Sequence, residues 1–579
     1  MLIHGLPKRS IPIAATACLA AFCILLWPAR AQNQPTYPVG GVVLNSLTDQ
    51  PIARVLVAGP SDALLTDSEG RFELHLPEGT TSIRLQRPGY AASESTTPFA
   101  VQMVRIASGM APITLYLAPA ASLAAHVELS TGDEPDGINF RLLSRSIVDG
   151  HVRWGQQGQA SSDSQGLVRF TSLHAPGLYV LCSMAAPDQP GVSAPAAAVY
   201  GYPSTCFPGG TDFASAVASP LVLAPGQHAE LEAGLTRQLF YPVSIAVAGA
   251  GQQPRPFVQV YSQDGQPMGF IPHLSTPGGT ETFHLPNGSY YAEVHTGRGP
   301  GSLRYGRVDF TVAGAPLPTV TLVPLPIQPI SVEIHRDFTA NPNPNQQPGA
   351  GFFAEGTPPD DDGPGLNISL IPVGDSTAGQ FGGNLRRDPN SPSGDLFEWD
   401  VTGQGRFWIR VYEFGSYYVS SITSGGADLA RQPLVIGPGG ASYPIEVTLR
   451  NDMGRLACAL APPLSSASGP NAPAGVIDRV VVSAVPLFPT VQSIPQDIGC
   501  SQEGAAYPIP FPPGDYLLVA SRSRRQFDLD DPAEISRLTA EGQKVTIQPG
   551  QTTSVQVDKL MTDTPQAGAS ETDPAEARQ

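Results

Sequence analysis

This sequence is short of charge, and shorter still of positive charge. Only 14% of its 579 residues are Asp, Glu, Lys or Arg, and 33 bases face 50 acids for a net charge of −17. Such an excess repels phosphate backbones and anionic lipid surfaces, so nucleic-acid binding is not expected. Catalytic signatures are missing too: there is no G-x-S-x-G elbow, no H-E-x-x-H pair, no phosphate-binding glycine loop and no dinucleotide fingerprint. The six cysteines show no C-x-x-C spacing with a nearby His pair, which argues against a structural zinc site. Beyond residue 31 no apolar run approaches the length of a spanning helix. The expectation is therefore a protein without enzymatic activity, cofactor or metal, and with no membrane span in the mature chain.

The first residues carry an address. Lys8 and Arg9 precede the apolar run Ile11 to Trp27, and Ala29-Arg30-Ala31 closes it, which reads as a signal peptide over 1–31 with an uncleaved anchor as the alternative. An exported protein follows, periplasmic, cell-surface or extracellular. Cys18 and Cys23 leave with that peptide, so Cys182, Cys206, Cys458 and Cys500 remain for an oxidising compartment. Each pair falls within one repeat of the sequence, which favours Cys182 with Cys206 and Cys458 with Cys500 over the two crossed connectivities.

What is abundant is turn-forming and alternating. Gly (60) and Pro (61) are both frequent, and the 41% hydrophobic residues fall largely in period-two runs, which fits short strands joined by many turns. One element recurs: RFELHLPEGTTSIRLQ from Arg71, VRFTSLHAPGLYVLCS from Val168, TETFHLPNGSYYAEVH from Thr280, RFWIRVYEFGSYYVSS from Arg406 and PIPFPPGDYLLVAS from Pro508. In it an alternating run meets a Gly where a tight turn needs positive φ, and a second run leaves two residues later. Gly177 with Tyr179, Gly288 with Tyr290, Gly415 with Tyr417 and Gly514 with Tyr516 form a column like a tyrosine corner, in which the phenol hydroxyl returns to the backbone. Thr81 stands in that place in the first copy, where the corner is absent or weaker.

Opening strands (VGGVVLNS, SLAAHVEL, YPVSIAVAG, PISVEIH, GRLACALAP) and closing strands follow the same period. Units at 37–118, 119–236, 237–324, 325–450 and 451–561 are expected, with a polar tail at 562–579. Their size is that of a β-sandwich domain, and the fold class is all-β: tandem Greek-key-type sandwiches, prealbumin-like or Ig-like. The one helix expected begins at Asp531 as N-cap, with Pro532 next and Glu534 three residues after the cap.

Within the first unit, Gly41, Pro51, Val55, Thr66, Asp67, Gly70, Phe72, Leu76, Pro77, Gly79, Gly89 and Tyr90 match the pattern of the carboxypeptidase regulatory-like domain, which this stretch resembles. Looser matches, such as TCFPGGTDFASAVASPLVLAPGQHAELEAGL, are similar to exported bacterial proteins built from tandem domains of that kind. The resemblance implies a prealbumin-like or carbohydrate-binding-like sandwich that accompanies catalysis elsewhere and performs none. Nothing here matches the catalytic part of a metallocarboxypeptidase.

Several residue groups bear chemistry on paper. On the strand from Phe407, period-two geometry sends Phe407, Ile409 and Val411 to one face and Trp408, Arg410, Tyr412 and Phe414 to the other. The second face is either an open platform for sugar rings or a surface that packs on a neighbouring unit. His75 and His284 share one column before the turn Gly, with His174 close to it, and read as structural strand residues. Asp360-Asp361-Asp362 and Asp528, Asp530, Asp531 lack EF-hand spacing and read as solvated charge, Asp531 having its cap role. Asp67 with Gly70 and Asp163 with Gly166 read as hairpin turns. The leading expectation is an exported, non-catalytic multidomain protein that binds carbohydrate or envelope polymer, its partner a polysaccharide or an envelope protein. A structural stalk or adhesin scaffold is the alternative, and an enzyme accessory or cryptic hydrolase a third.

Overall fold

The computed structural model describes Thr36 to Met561, apart from 92–99, 149, 189–196, 210–211, 250–256, 269–273, 277–279, 298–302, 340–365, 374–380, 383–384, 389, 392–394, 402, 414–416, 438–439, 466–479, 493–495, 502–505 and 522–524. The expected signal peptide, the tail, Asp360-Asp361-Asp362, Phe414 and Gly415 lie outside the described residues. The described chain is all-β, in ten sheets that pair as tandem sandwiches, with three short helices.

Five times the chain repeats one topology. Each opening strand, Thr36–Asn45, Ala121–Leu129, Gln238–Val247, Ile330–Asp337 and Gly454–Leu460, lies between an antiparallel and a parallel neighbour. The parallel neighbour is the closing strand: Ile113–Pro119, His228–Leu235, Val320–Leu322, Ile445–Arg450 or Thr552–Val557. The antiparallel neighbour is Arg71–Pro77, Leu167–Leu173, Thr280–Leu285, Leu396–Trp399 or Ile509–Phe511. A parallel pair needs a long crossover, and here the body of the repeat supplies it, so first and last strands meet and shut the sandwich. Buried hydrophobics form five large clusters, with members from Val39 to Leu117, Ala121 to Leu235, Val243 to Leu322, Ile330 to Leu449 and Leu456 to Val557. The fourth of these clusters also takes in Val491.

The recurring element is an arch between sheets. Its first strand pairs with the opening strand, and its second, for example Gly288–Thr296 or Gly514–Ser521, lies in the facing sheet. Gly177 and Gly288 do not have positive φ, which corrects the turn geometry expected of them. Glycine is needed there because a Cβ would sit 2.7 Å from Cε2 of Tyr179 and 2.9 Å from the hydroxyl of Tyr290. Gly79, Gly405 and Gly514 do take positive φ, at 115°, 139° and 153°.

In the fourth repeat the arch runs from Leu396–Trp399 through Gly405 into Gly405–Glu413, so Phe407 occupies the tyrosine place and Tyr417 does not, which corrects the expected corner there. Tyr417 comes after that strand, just before Tyr418–Ser424. Tyr417 is half-buried and stacks on Phe338, centroids 6.1 Å apart.

The seam between the second and third sandwiches departs from separate units. Chain leaving the second sandwich at Ser183 forms a small hairpin, Ala186–Pro187 with Val199–Tyr202, and this pairs with Gln238–Val247 of the third. The excursion is closed at its base by the Cys182–Cys206 disulfide, whose residues lie opposite one another on paired strands 24 positions apart. Cys458 and Cys500 are also joined, 42 positions apart, giving the expected pairing of all four.

Pro532–Glu541 is the expected helix: the Asp531 carboxylate accepts from Ala533 N–H at 2.9 Å, while Glu534 holds Arg537 at 2.6 Å. A second helix, Phe213–Ala218, was not legible. At one and a half turns it has no period to read, and only the Asp212 carboxylate accepting from Ser215 N–H marks its start.

Candidate functional site

Period-two geometry holds on Gly405–Glu413. Phe407, Ile409 and Val411 enter the fourth core, and Trp408, Arg410 and Tyr412 share the opposite face. That face is largely covered. Trp408 is half-buried and stacks on His151 of the second sandwich, centroids 5.4 Å apart and planes 9° apart. Arg410 is only 5% exposed, and its guanidinium donates to the Gln492 carbonyl at 2.6 Å. Tyr412 remains 37% exposed. The outward placement that a sugar platform requires does not hold for Arg410. Thr490 to Gln492 run along the edge of this strand, where Val411 N–H donates to the Val491 carbonyl at 2.9 Å.

The second cover comes from far away in sequence. The strands Asn139–Val148 and His151–Ser161 form a hairpin whose tip reaches the fifth unit. Leu529 N–H donates to the Gly150 carbonyl at 2.8 Å, and Ile147 N–H donates to the Gln526 side chain at 3.0 Å. Gly150 takes a φ of +83°, and a Cβ there would lie 2.7 Å from the Leu529 side chain. Arg145 pairs with Asp528 at 2.9 Å and His151 with Asp530 at 2.7 Å. Arg153 donates to the Pro372 carbonyl of the fourth unit at 3.1 Å, and burial lowers its guanidinium pKa. Asp528 and Asp530 are thus spent on docking, a use the sequence reading did not assign them, while Asp531 caps the helix as expected. The sequence pair Asp-Gly at 149–150 between two stretches containing Arg145, His151 and Arg153, with this acidic run elsewhere in the chain, was the available signal.

Between the three units lies a cavity of about 500 Å³. Its walls are mainly apolar, with Leu429, Val485, Phe488, Leu529 and Leu538 among them. Leu487 and Ile535, 42% and 40% exposed, also line it. Arg410, Arg431, His151 and Gln492 supply polar groups, and no Asp or Glu is among the described lining residues.

The remaining residues singled out are dispersed. The hydroxyls of Tyr179, Tyr290 and Tyr516 donate to the carbonyls of His174, Pro286 and Pro512 at 2.6, 2.9 and 2.8 Å. Burial raises all three phenol pKa values, that of Tyr179 to about 12. His75 is exposed with Nδ1 3.8 Å from Asp62, burial lowers His174, and buried His284 lies 3.1 Å from the Ala197 carbonyl. They sit in three different sandwiches and are not brought together. His75 and Glu78 do spell H-x-x-E, yet among the described residues no three His, Cys, Asp or Glu side chains group to hold a metal. The Asp67 carboxylate accepts from Glu69 and Arg71 N–H at 2.9 and 2.8 Å, and Asp163 repeats this with Gln165 and Leu167 at 3.0 and 2.9 Å. No described helix is long and apolar enough to cross a membrane.

No family model matches the chain, and no curated protein does. The carboxypeptidase regulatory-like label therefore rests on the residues quoted above alone. Among solved structures, the Bacillus anthracis TIE protein is 10% identical over 72% of this chain and 69% of its own, with a TM-score of 0.14. A streptococcal ancillary pilin is 13% identical over 50% of this chain and 99% of its own, with a TM-score of 0.17. A minor pilin of Streptococcus agalactiae is 12% identical over 36% of this chain and 98% of its own, with a TM-score of 0.16. Similarity this weak assigns neither a role nor a partner.

Proposed function

We propose that the protein is an exported, non-catalytic scaffold of the cell envelope, built of five β-sandwich units at 37–118, 119–236, 237–324, 325–450 and 451–561. The observation that carries this reading is the fate of the Trp408 and Arg410 face. The surface with the composition best suited to sugar rings is used to dock one unit on two others. Two disulfides fit an oxidising compartment outside the cytoplasm. The most strongly shifted titratable groups are tyrosines buried in sandwiches, several of them bonded to backbone carbonyls, which is a structural use.

Purified mature protein and its Trp408→Ala variant, applied to glycan arrays and envelope polysaccharide, decide the matter. The scaffold reading expects no glycan retained by either protein and a lower melting temperature for the variant. Glycan binding that Trp408→Ala abolishes would overturn it in favour of polysaccharide recognition.

A further inference from the structure

The junction cavity has more organisation than docking requires. Its volume of about 500 Å³ falls in the range of pockets that hold small organic molecules, about 300–1,000 Å³. Interfaces between domains are a preferred place for such pockets. Two sandwiches that merely packed together would close this space with side chains, since interiors leave few voids larger than a water molecule. Instead Leu487 and Ile535 stay partly exposed along it and Leu429, Phe488 and Leu529 stand around an apolar interior.

The charge of the lining runs against that of the chain. Fifty acids are distributed over 579 residues, yet the described lining contains none, and it does contain two guanidinium groups and an imidazole. Arg410 is the buried one, beside the Gln492 carbonyl. Arg431 holds Asp428 at 3.2 Å, and His151 holds Asp530 at 2.7 Å, both acids lying outside the described lining. An apolar space with cationic groups and no carboxylate among its described lining residues is complementary to a molecule with an alkyl body and an anionic head.

We propose that this cavity binds a single-chain anionic amphiphile of the alkyl carboxylate class, its chain among Leu429, Phe488 and Leu529 and its head beside Arg410 and Arg431. The alkyl chain gains by leaving water, and the head gains charge-assisted hydrogen bonds from guanidinium donors. An exported protein that sequesters such a molecule there would be tightened by it, because one ligand touches both unit 4 and unit 5, next to His151 of unit 2.

Calorimetric titration of delipidated full-length protein with decanoate, and separately with 1-decanol, tests this. Decanoate is expected to bind about tenfold more tightly than the alcohol, the equivalent of one charge-assisted contact. Arg431→Gln, at a side chain 65% exposed, is expected to bring decanoate down toward the level of the alcohol. Leu487→Trp, which fills the space from its exposed side, is expected to weaken both ligands about tenfold or more. No binding of decanoate, equal binding of acid and alcohol, or binding indifferent to Leu487→Trp would each overturn the proposal. The glycan experiment reads the scaffold role separately, so either reading can fail alone.

Discussion

The first and fourth sandwiches share a topology and use their surfaces differently. In the first, the core cluster takes members only from Val39 to Leu117, and Arg71–Pro77 alternates exposed and buried residues along its length. Its outward residues Arg71, Glu73 and His75 face water. In the fourth, the core includes Val491 from beyond the repeat, and the outward side of Gly405–Glu413 is covered by the fifth unit and by a hairpin of the second. Alternation tells which face of a strand is the core. It does not tell whether the other face meets water or protein.

The largest test of this contrast is in the two cores. Trp399 is 0% exposed in the fourth and Leu74 is 0% exposed in the first. Trp399→Ala is expected to cost about 3–5 kcal/mol and Leu74→Ala about 2–5 kcal/mol. In scanning calorimetry Leu74→Ala should move one transition, whereas Trp399→Ala should also lower the transition of the fifth unit. Equal isolation of both effects would remove the distinction drawn between these sandwiches.

Next in size is the seam between second and third sandwiches. Replacing Cys182 and Cys206 by Ser opens a 24-residue span and is expected to cost about 3 kcal/mol. Because that span carries the hairpin paired to Gln238–Val247, hydrogen exchange should rise in the third sandwich as well as the second. Protection lost from the second alone would show that the hairpin contributes nothing to its host sheet.

The smallest effect is at the arch. Tyr179→Phe removes one hydroxyl-to-carbonyl bond and is expected to cost about 1 kcal/mol in urea unfolding. The fourth sandwich has Phe407 in that place, so Phe407→Tyr should bring no matching gain. Alkali probes the same group. Burial holds the Tyr179 proton to about 12 in the folded state against an ordinary value near 10. Stability from the neutral phenol is therefore whole below pH about 10 and is lost as pH rises from about 10 to about 12. A tyrosinate absorbance titration in which Tyr179→Phe removes none of the late-titrating signal would contradict this.

Much of the fold was legible because strands declare themselves by alternation. All five opening strands and all five closing strands lie where period-two runs placed them, and the Asp67 and Asp163 turns follow from one short carboxylate capping its own backbone. The arch of the fourth repeat was misplaced by one strand, since the same Gly-x-aromatic spacing occurs twice in succession, at Gly405 with Phe407 and at Gly415 with Tyr417. Of the candidate site, the face of Trp408 and Arg410 was identified and its covering was not. The residues that cover it, His151 and Gln492, lie 257 and 84 positions away from Trp408 in the numbering, and a local pattern carries no record of such partners.

The order of glycines, the two-residue rhythm and the spacing of four cysteines were enough to determine an all-β chain of tandem sandwiches with two disulfides. Those are local properties, set by backbone sterics and by which side of a pleat is apolar. Which surfaces meet, that one sandwich lends a hairpin to the next, and that a cavity with basic groups opens between three of them were decided only in the tertiary structure. Contacts between rigid sandwiches depend on shape and on charges brought together from distant positions, such as Arg145 with Asp528, and no short window of sequence contains both partners.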